Sequence, residues 1–259
     1  MLILLTTKCE MGCKHCISDC TKEGIDMTFD TLKLVCERIE ELDPKVLVIS
    51  GGEPTSHPEF KKFLKYIHDK VGNGRAICVC SNGINLEKEY DYLSELIHLM
   101  PEINFQITNV HELYPQKIDI SNPIYKLPNV KLETSIHRLY PLGRAVTNSL
   151  SCSAKCSGCF NTRLVRAQLE LNFAHSNRYN IHSLLQTMEM SGRFCTMPIL
   201  PNGKMILGES VLCTPYADIS MSEEEIMYNM KKFKCNTCDH INRTMVDPMI
   251  YNLVRSMES

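Results

Sequence analysis

The chain has 259 residues, 44% hydrophobic and 22% charged, with a formal net charge of −2. That is room for one large domain, or a barrel with a small appendage, at the balance of an ordinary soluble globular protein. The near-neutral charge excludes nucleic acid and anionic membrane as default partners, and fourteen cysteines in so long a chain read as metal or cluster ligands rather than disulfide staples.

The first residues, Met1-Leu-Ile-Leu-Leu, are apolar, lack a basic flank and are too short for a signal peptide or membrane span. They predict a buried strand over Leu2–Thr7 and a cytoplasmic location. Next comes the stretch KCEMGCKHC at 8–16, with Cys9, Cys13 and Cys16 within eight residues. A closed zinc or iron–sulfur site takes four protein ligands. Three thiols from one loop suit three corners of a cubane and leave the fourth iron for another ligand. Cys20 could be that ligand, which would make an electron carrier or a structural zinc knot.

A helix is predicted over 28–42, with Thr28 as N-cap and Phe29, Leu32, Val35, Ile39 and Leu42 near helical spacing. Lys45–Ser50 is a continuous apolar run, as expected of a parallel strand buried on both faces. It leads into Gly51-Gly52-Glu53-Pro54. A second helix is predicted over 58–70, with Pro58 at its first position. Ala76–Cys80 is a third strand, leading into Ser81-Asn82-Gly83. Along it Cys78 and Cys80 point to one face. Core packing is the commoner role for such a pair, but on a barrel lumen one could donate a hydrogen atom or form a thioether adduct. A helix over 87–99 and strands at Ile103–Val110 and Val130–Ile136 follow, then Gly143-Arg144-Ala145.

Repeated strand–helix units imply a parallel α/β sheet or barrel, whose ligands bind at the carboxyl ends of the strands. Four glycine- or cysteine-bearing loops therefore converge on one rim, where glycine lets the backbone approach a ligand closely.

After Arg144 the rhythm changes, which places a domain boundary near residue 146, with 147–259 as a cysteine-rich C-terminal region. The boundary moves to about 190 if a sixth strand at Gln168–Phe173 belongs to the barrel. Cys152, Cys156 and Cys159 repeat the first spacing without a Gly-Gly-Glu loop of their own; a metal role is expected, with no fourth ligand evident. Ile181–Met188 predicts a helix. Residues 197–207 predict a hairpin around Pro-Asn-Gly, with Asn202 and Gly203 able to take positive φ. Ser222 and Glu225 form a capping-box pattern ahead of Ile226, Met230 and Phe233, and Lys231-Lys232-Phe233-Lys234 reads as a solvated helix end. Cys195, Cys213, Cys235 and Cys238 make a set of four, which suits a closed iron–sulfur cluster or a zinc ribbon equally.

Cys9-x3-Cys13-x2-Cys16, followed by Gly51-Gly52-Glu53-Pro54 after the second strand, resembles the radical S-adenosylmethionine (SAM) superfamily. Over roughly residues 1–145 the resemblance implies a partial (β/α)6 barrel. It implies that the three cysteines hold a 4Fe-4S cluster whose open iron is chelated by SAM. One electron then cleaves the sulfonium, and the resulting 5′-deoxyadenosyl radical takes a hydrogen atom from a substrate; the cofactors carry this chemistry. Residue by residue, the Gly51, Gly52 and Glu53 backbone would meet the SAM amino group. Ser81 and Asn82 would lie near ribose or carboxylate, and Arg144 near a carboxylate- or ribose-side contact. His15 and Ile136 would pack near adenine. For Ser81, Asn82 and Gly83 an ordinary strand-to-helix turn is an equal reading, and for Arg144 a surface salt bridge.

Cys195-x12-Gly208-x4-Cys213, then a helix, then Cys235-x2-Cys238, resembles the shortened "twitch" form of the SPASM extension of that superfamily, over about 190–240. It is similar to the arrangement in aminocyclitol dehydrogenases of antibiotic biosynthesis. That implies an auxiliary 4Fe-4S cluster able to accept an electron from a substrate radical, hence oxidation of a small polar molecule. An external flavodoxin- or ferredoxin-like one-electron reductant is implied. The alternatives are a peptide maturase of the same superfamily, installing a cross-link, a thioether or an inverted stereocentre, and a non-catalytic iron–sulfur or zinc protein. A chain that starts directly with strand one favours a small molecule or short peptide.

Overall fold

The computed structural model describes residues 1–110, 112–135, 139–152, 180–191 and 196–233. Five strands, β1 (Leu2–Thr6), β2 (Val46–Gly51), β3 (Ala76–Ser81), β4 (Ile103–Thr108) and β5 (Val130–Glu133), stand side by side in chain order, all parallel. Parallel neighbours need crossovers. Helices α1 (Phe29–Leu42), α2 (Phe60–Val71) and α3 (Tyr90–Leu99) supply the first three. This is the α/β architecture expected of a partial radical SAM barrel. The sixth strand expected at 168–173 lies outside the described residues.

The helix ends follow local chemistry. The Thr28 hydroxyl accepts the Thr31 amide at 3.1 Å and starts α1, which stops at Asp43 in left-handed backbone (φ 45°). Helix α2 begins later than expected, with Glu59 as N-cap and Pro58 ahead of it. Pro54–Ser56 form a short 3-10 turn, and the Glu59 amide is taken by His57 Nδ1 at 3.1 Å.

Alternation along the strands divides the sheet into two faces. Ile3, Leu5, Leu47, Ile49, Ile77, Val79, Ile103, Phe105 and Ile107 point one way and pack with Val35, Ile39, Phe63, Leu64, Ile67, Leu93 and Leu96 of the helices. The other face is concave and forms the lumen. Its β1–β2 half carries Leu2, Leu4 and Val48, covered by Leu200 and Ile206. Its β3–β5 half carries Cys78, Cys80, Asn104, Gln106, Thr108, Lys131 and Glu133, none fully buried.

The C-terminal region closes the free edge of β1. Ile199 pairs with Ile3 in parallel: Leu4 N donates to Ile199 O at 2.9 Å, and Ile199 N to Leu2 O at 2.9 Å. The chain then turns at Gly203 (φ 79°), while Asn202 keeps negative φ and its Oδ1 accepts the Lys204 amide at 3.2 Å. The Pro-Asn-Gly turn thus forms with one left-handed residue rather than two. Ile199 bridges back to Met205, and β6 (Lys204–Met205) pairs antiparallel with β7 (Ala217–Asp218).

Helix α5 (Ile181–Met190) leans on α1, where His182 Nδ1 contacts Leu42 O at 2.9 Å. From its last turn the Glu189 carboxylate accepts the amides of Lys45 and Val46 at the start of β2. Helix α6 (Glu223–Lys232) opens with the reciprocal Ser222–Glu225 capping box. Among the described residues no helix is long and apolar enough to cross a membrane.

Phe63, fully buried between the rings of Phe29 and His57, anchors the helix-side core. Phe63→Ala is expected to cost about 3–5 kcal/mol through lost transfer energy and the cavity left behind. A lower urea midpoint with unchanged slope checks it.

Candidate metal and cofactor site

At the end of β1 the chain makes an excursion that returns on itself. Thr7 N donates to Ile25 O at 2.9 Å, Cys9 N to Thr21 O at 2.8 Å, and Met27 N to Leu5 O at 2.8 Å. Lys8 Nζ pairs with Asp26 at 2.5 Å, and the Thr6 hydroxyl donates to the same carboxylate at 2.6 Å. The loop so closed carries Cys9, Cys13 and Cys16, all free of disulfides.

Burial and the neighbouring Cys9 and Cys16 push the Cys13 thiol up to about 12, and burial likewise raises Cys9. A hydrogen bond from Cys20 moves Cys16 the other way, stabilising its thiolate, and the Cys20 thiol rises correspondingly. Cys20 is thus engaged with Cys16. Among the described residues no three His, Cys, Asp or Glu side chains converge tightly enough for a single metal ion. A cubane asks for something else: each thiolate takes a different iron, so the three sulfurs stand apart around a common centre. The three thiols of this loop lie near enough to act on one another's ionisation, and thiolates are the ligands such a cluster takes.

The second loop is held against the first by main chain alone. Gly52 N donates to Thr6 O at 2.7 Å and Glu53 N to Lys8 O at 2.8 Å. A Cβ on Gly52 would stand 2.2 Å from Lys8 O, and one on Gly51 (φ 151°) 2.3 Å from Thr6 O. The glycines therefore admit the cysteine-bearing chain, besides any ligand. The Gly52 and Glu53 amides belong to that contact.

Glu53 is a buried carboxylate. It accepts the Asn82 amide at 2.7 Å, the Ser81 hydroxyl at 2.8 Å and the Thr55 hydroxyl at 2.6 Å. Burial raises its pKa against the opposing pull of these bonds. Ser81 and Asn82 are brought to Glu53 from the adjoining strand end. The Ser81 hydroxyl also accepts the Gly83 amide at 3.0 Å.

Arg144 opens α4 (Arg144–Thr147). Its Nε donates to Cys13 O at 2.8 Å, a terminal nitrogen to Cys20 O at 3.1 Å, and its amide to Cys16 O at 2.9 Å; Asp19 pairs with the guanidinium at 3.2 Å. Gly143 (φ 53°) allows this approach, since a Cβ would meet Cys16 O at 2.4 Å. The structure thus places Arg144 on the cysteine loop, bonded to its carbonyls as well as paired with Asp19. Its charge favours the thiolate form of Cys9, Cys13 and Cys16.

His15 is half-buried, and its Nδ1 is a buried nitrogen without a hydrogen-bond partner. Burial, with Arg144 beside it, lowers its pKa and so favours the neutral ring. Tyr114, from the β4–β5 connection, packs on His15 with ring centroids 5.1 Å apart. Burial, together with the facing Cys13 and Glu53, raises its phenol pKa. Asn109, fully buried at the end of β4, donates to Asn82 O and Gln116 O at 3.2 Å, and its Oδ1 has no partner. Tyr114 and Asn109 were missed in the sequence, where neither stands in a spacing that signals chemistry. The unpartnered His15 Nδ1 and Asn109 Oδ1 suit a polar ligand at this rim.

Ile136, Cys195, Cys235 and Cys238 lie outside the described residues, as do Cys156 and Cys159. Cys213 is described: it borders the apolar lumen patch, and Gly208 lies against its sulfur, where a Cβ would be 2.4 Å away.

Arg144→Ala removes two side-chain hydrogen bonds from a charged donor. It is expected to destabilise the fold by about 1.5–3 kcal/mol for each bond not replaced by water. Limited proteolysis should then cut first within residues 8–22; an unchanged cleavage pattern would contradict the assignment.

Residues 3–126 match the family model described as the radical SAM superfamily. No curated protein matches the sequence. Among solved structures the chain is similar to BtrN in complex with AdoMet and 2-DOIA, at 12% identity and TM-score 0.56, covering 99% of this chain and 85% of that one. It also aligns with Streptococcus suis SuiB bound to S-adenosylmethionine, at 12% identity, over 98% of this chain and 67% of that one, with a TM-score of 0.35.

Proposed function

We propose, from the premise that residues 3–126 are a radical SAM domain, that the protein cleaves SAM reductively and oxidises a small polar molecule with the help of an auxiliary cluster. One observation carries the reading. Three cysteines share a loop whose backbone is pinned by Arg144 and by the Gly52–Glu53 amides, and their thiols act on one another's ionisation near buried Glu53.

Cys9, Cys13 and Cys16 would hold a 4Fe-4S cluster. Bound there and reduced by one electron, SAM supplies a carbon radical able to remove a hydrogen atom from a neighbouring molecule. The chain's own part is to hold and shield. Glu53 locks the second and third strand ends together, which leaves the rim at Ser81 and Asn82 rigid. His15 and Tyr114 form an aromatic wall over the cysteine loop. Arg144 supplies positive charge to the thiolates. Ile136 is proposed to pack near adenine.

Cys195, Cys213, Cys235 and Cys238 would hold the auxiliary 4Fe-4S cluster, the electron acceptor. A flavodoxin- or ferredoxin-like protein would supply the first electron. The polar half of the lumen favours a hydroxylated or amine-bearing small molecule, and 2-DOIA, present in the BtrN complex, is a first compound to try.

Anaerobic reconstitution should load about eight irons per chain, two four-iron clusters. With dithionite and SAM, 5′-deoxyadenosine should form and should be abolished by Cys13→Ala. If none forms while iron is fully loaded, the enzyme reading fails. Cys235→Ala should load about half as much iron and still cleave SAM, while oxidised product disappears. Retention of all the iron would count against the auxiliary site.

A further inference from the structure

Cys78 and Cys80 have no part in either cluster site. Both project from β3 onto the lumen face, and both are half-buried. In register, Cys78 stands beside Val48 of β2 and Asn104 of β4, and Cys80 beside Gln106. Cys80 also borders the apolar patch of Leu2, Leu4, Val48, Leu200 and Ile206, as does Cys213. The next residue is Ser81, whose hydroxyl binds Glu53. Cys80 is therefore the last lumen-facing side chain of β3 below the rim.

The two thiols are hydrogen-bonded to each other. The Cys80 bond, a backbone bond from Gln106 and the charge of Lys131 on β5 bring Cys78 down to about 7, against the effect of burial. The groups facing the pair from β2 and β4, namely Val48, Asn104 and Gln106, carry no charge. Near neutral pH Cys78 is thus partly ionised, with the Cys80 thiol as its hydrogen-bond donor. Packing against the apolar patch does not explain why both thiols stay half-exposed beside Asn104 and Gln106.

We propose that Cys78 and Cys80 are a hydrogen-donating thiol pair on the lumen wall, which quenches the carbon radical formed at the rim when no substrate lies between them. The inference rests on the SAM-cleaving reading above. An S–H bond is weaker than the C–H bond of a primary carbon, so transfer from sulfur to carbon runs downhill. The Cys80 S–H bond breaks homolytically and the 5′ C–H bond forms, leaving a thiyl radical on Cys80. The Cys78 thiolate shares that unpaired electron. One electron from the flavodoxin- or ferredoxin-class reductant and one proton from water then restore the Cys80 thiol. A bound substrate covers the pair, and the radical attacks the substrate instead.

The test uses the full-length, cluster-loaded protein with SAM and dithionite in D2O, without substrate and without added thiol. Exchangeable thiol hydrogens become deuterium, so 5′-deoxyadenosine should carry one deuterium. Cys80→Ser keeps size and polarity but replaces S–H with a stronger O–H bond, and should lose that label. A label unchanged in Cys80→Ser overturns the proposal.

Iodoacetamide labelling of the cluster-free protein, read peptide by peptide across about pH 6 to 9, gives a second and independent readout. Cys78 should alkylate with a midpoint near pH 7, far faster than Cys36, whose burial pushes its thiol up to about 12. Cys80→Ala should raise the Cys78 midpoint. If Cys78 labels no faster than Cys36, the pair is ordinary packing. If 5′-deoxyadenosine never forms, the SAM reading fails, and with it the quenching role, while the labelling still reports whether the thiol pair exists.

Discussion

The site depends on one backbone contact, the approach of Gly51–Glu53 to Thr6–Lys8. Two main-chain hydrogen bonds cross it, Gly52 N to Thr6 O and Glu53 N to Lys8 O. Only residues without a Cβ fit, because any side-chain carbon would come within 2.3 Å of a carbonyl oxygen. The contact does two things together. It sets the take-off direction of the cysteine loop, and it aims the Glu53 carboxylate at the end of β3. Glu53 then carries the order onward to Ser81 and Asn82, and Asn109 extends it from Asn82 to the β4 loop. Four strand ends are tied in series, so a loss at the glycines propagates across the whole rim.

The same sheet is built with two different inner surfaces. On β1 and β2 the lumen face is aliphatic and needs a cover, which Leu200 and Ile206 provide. On β3 to β5 it turns polar, with Gln106, Thr108, Lys131 and Glu133 in register. An amide, a hydroxyl and two charged groups on one concave wall would be costly to bury without partners. They are tolerable facing water or a polar ligand. The cover over the apolar half comes from the strand-like segment that seals the open edge of β1, which also removes an aggregation-prone edge.

Much of this was legible because it is local. The parallel sheet followed from apolar runs and helical spacing, and α1 and α6 began where Thr28 and the Ser222–Glu225 pair said they would. The three-thiol loop and Gly51-Gly52-Glu53 stood out because chemistry requires residue types at short spacing. What escaped was long-range. Arg144 reaches Cys13 from 131 residues away, and a sequence does not say which carbonyl a guanidinium will find. The glycines were read as making room for a ligand; they also make room for another stretch of chain, which the same letters allow. Tyr114 and Asn109 belong to the rim only because the β4–β5 connection folds back over the cysteine loop. A local detail escaped too: the helix expected from Pro58 starts two residues later, at Phe60, because the His57 ring takes the Glu59 amide.

Charge balance explains why Arg144 stands where it does. Three cysteines and buried Glu53 gather negative charge in a small volume, and deprotonating Cys9 and Cys13 there is unfavourable, as their raised pKa values show. A cationic cluster core relieves that repulsion once bound, but the empty loop must hold together first. Arg144 does so by hydrogen-bonding the carbonyls of Cys13 and Cys20, so it fixes the loop's shape while lowering the cost of ionising all four thiols. A lysine could supply the charge but not two directed bonds from one planar group. The residue therefore preorganises the backbone around a centre whose ligands repel one another until it is filled.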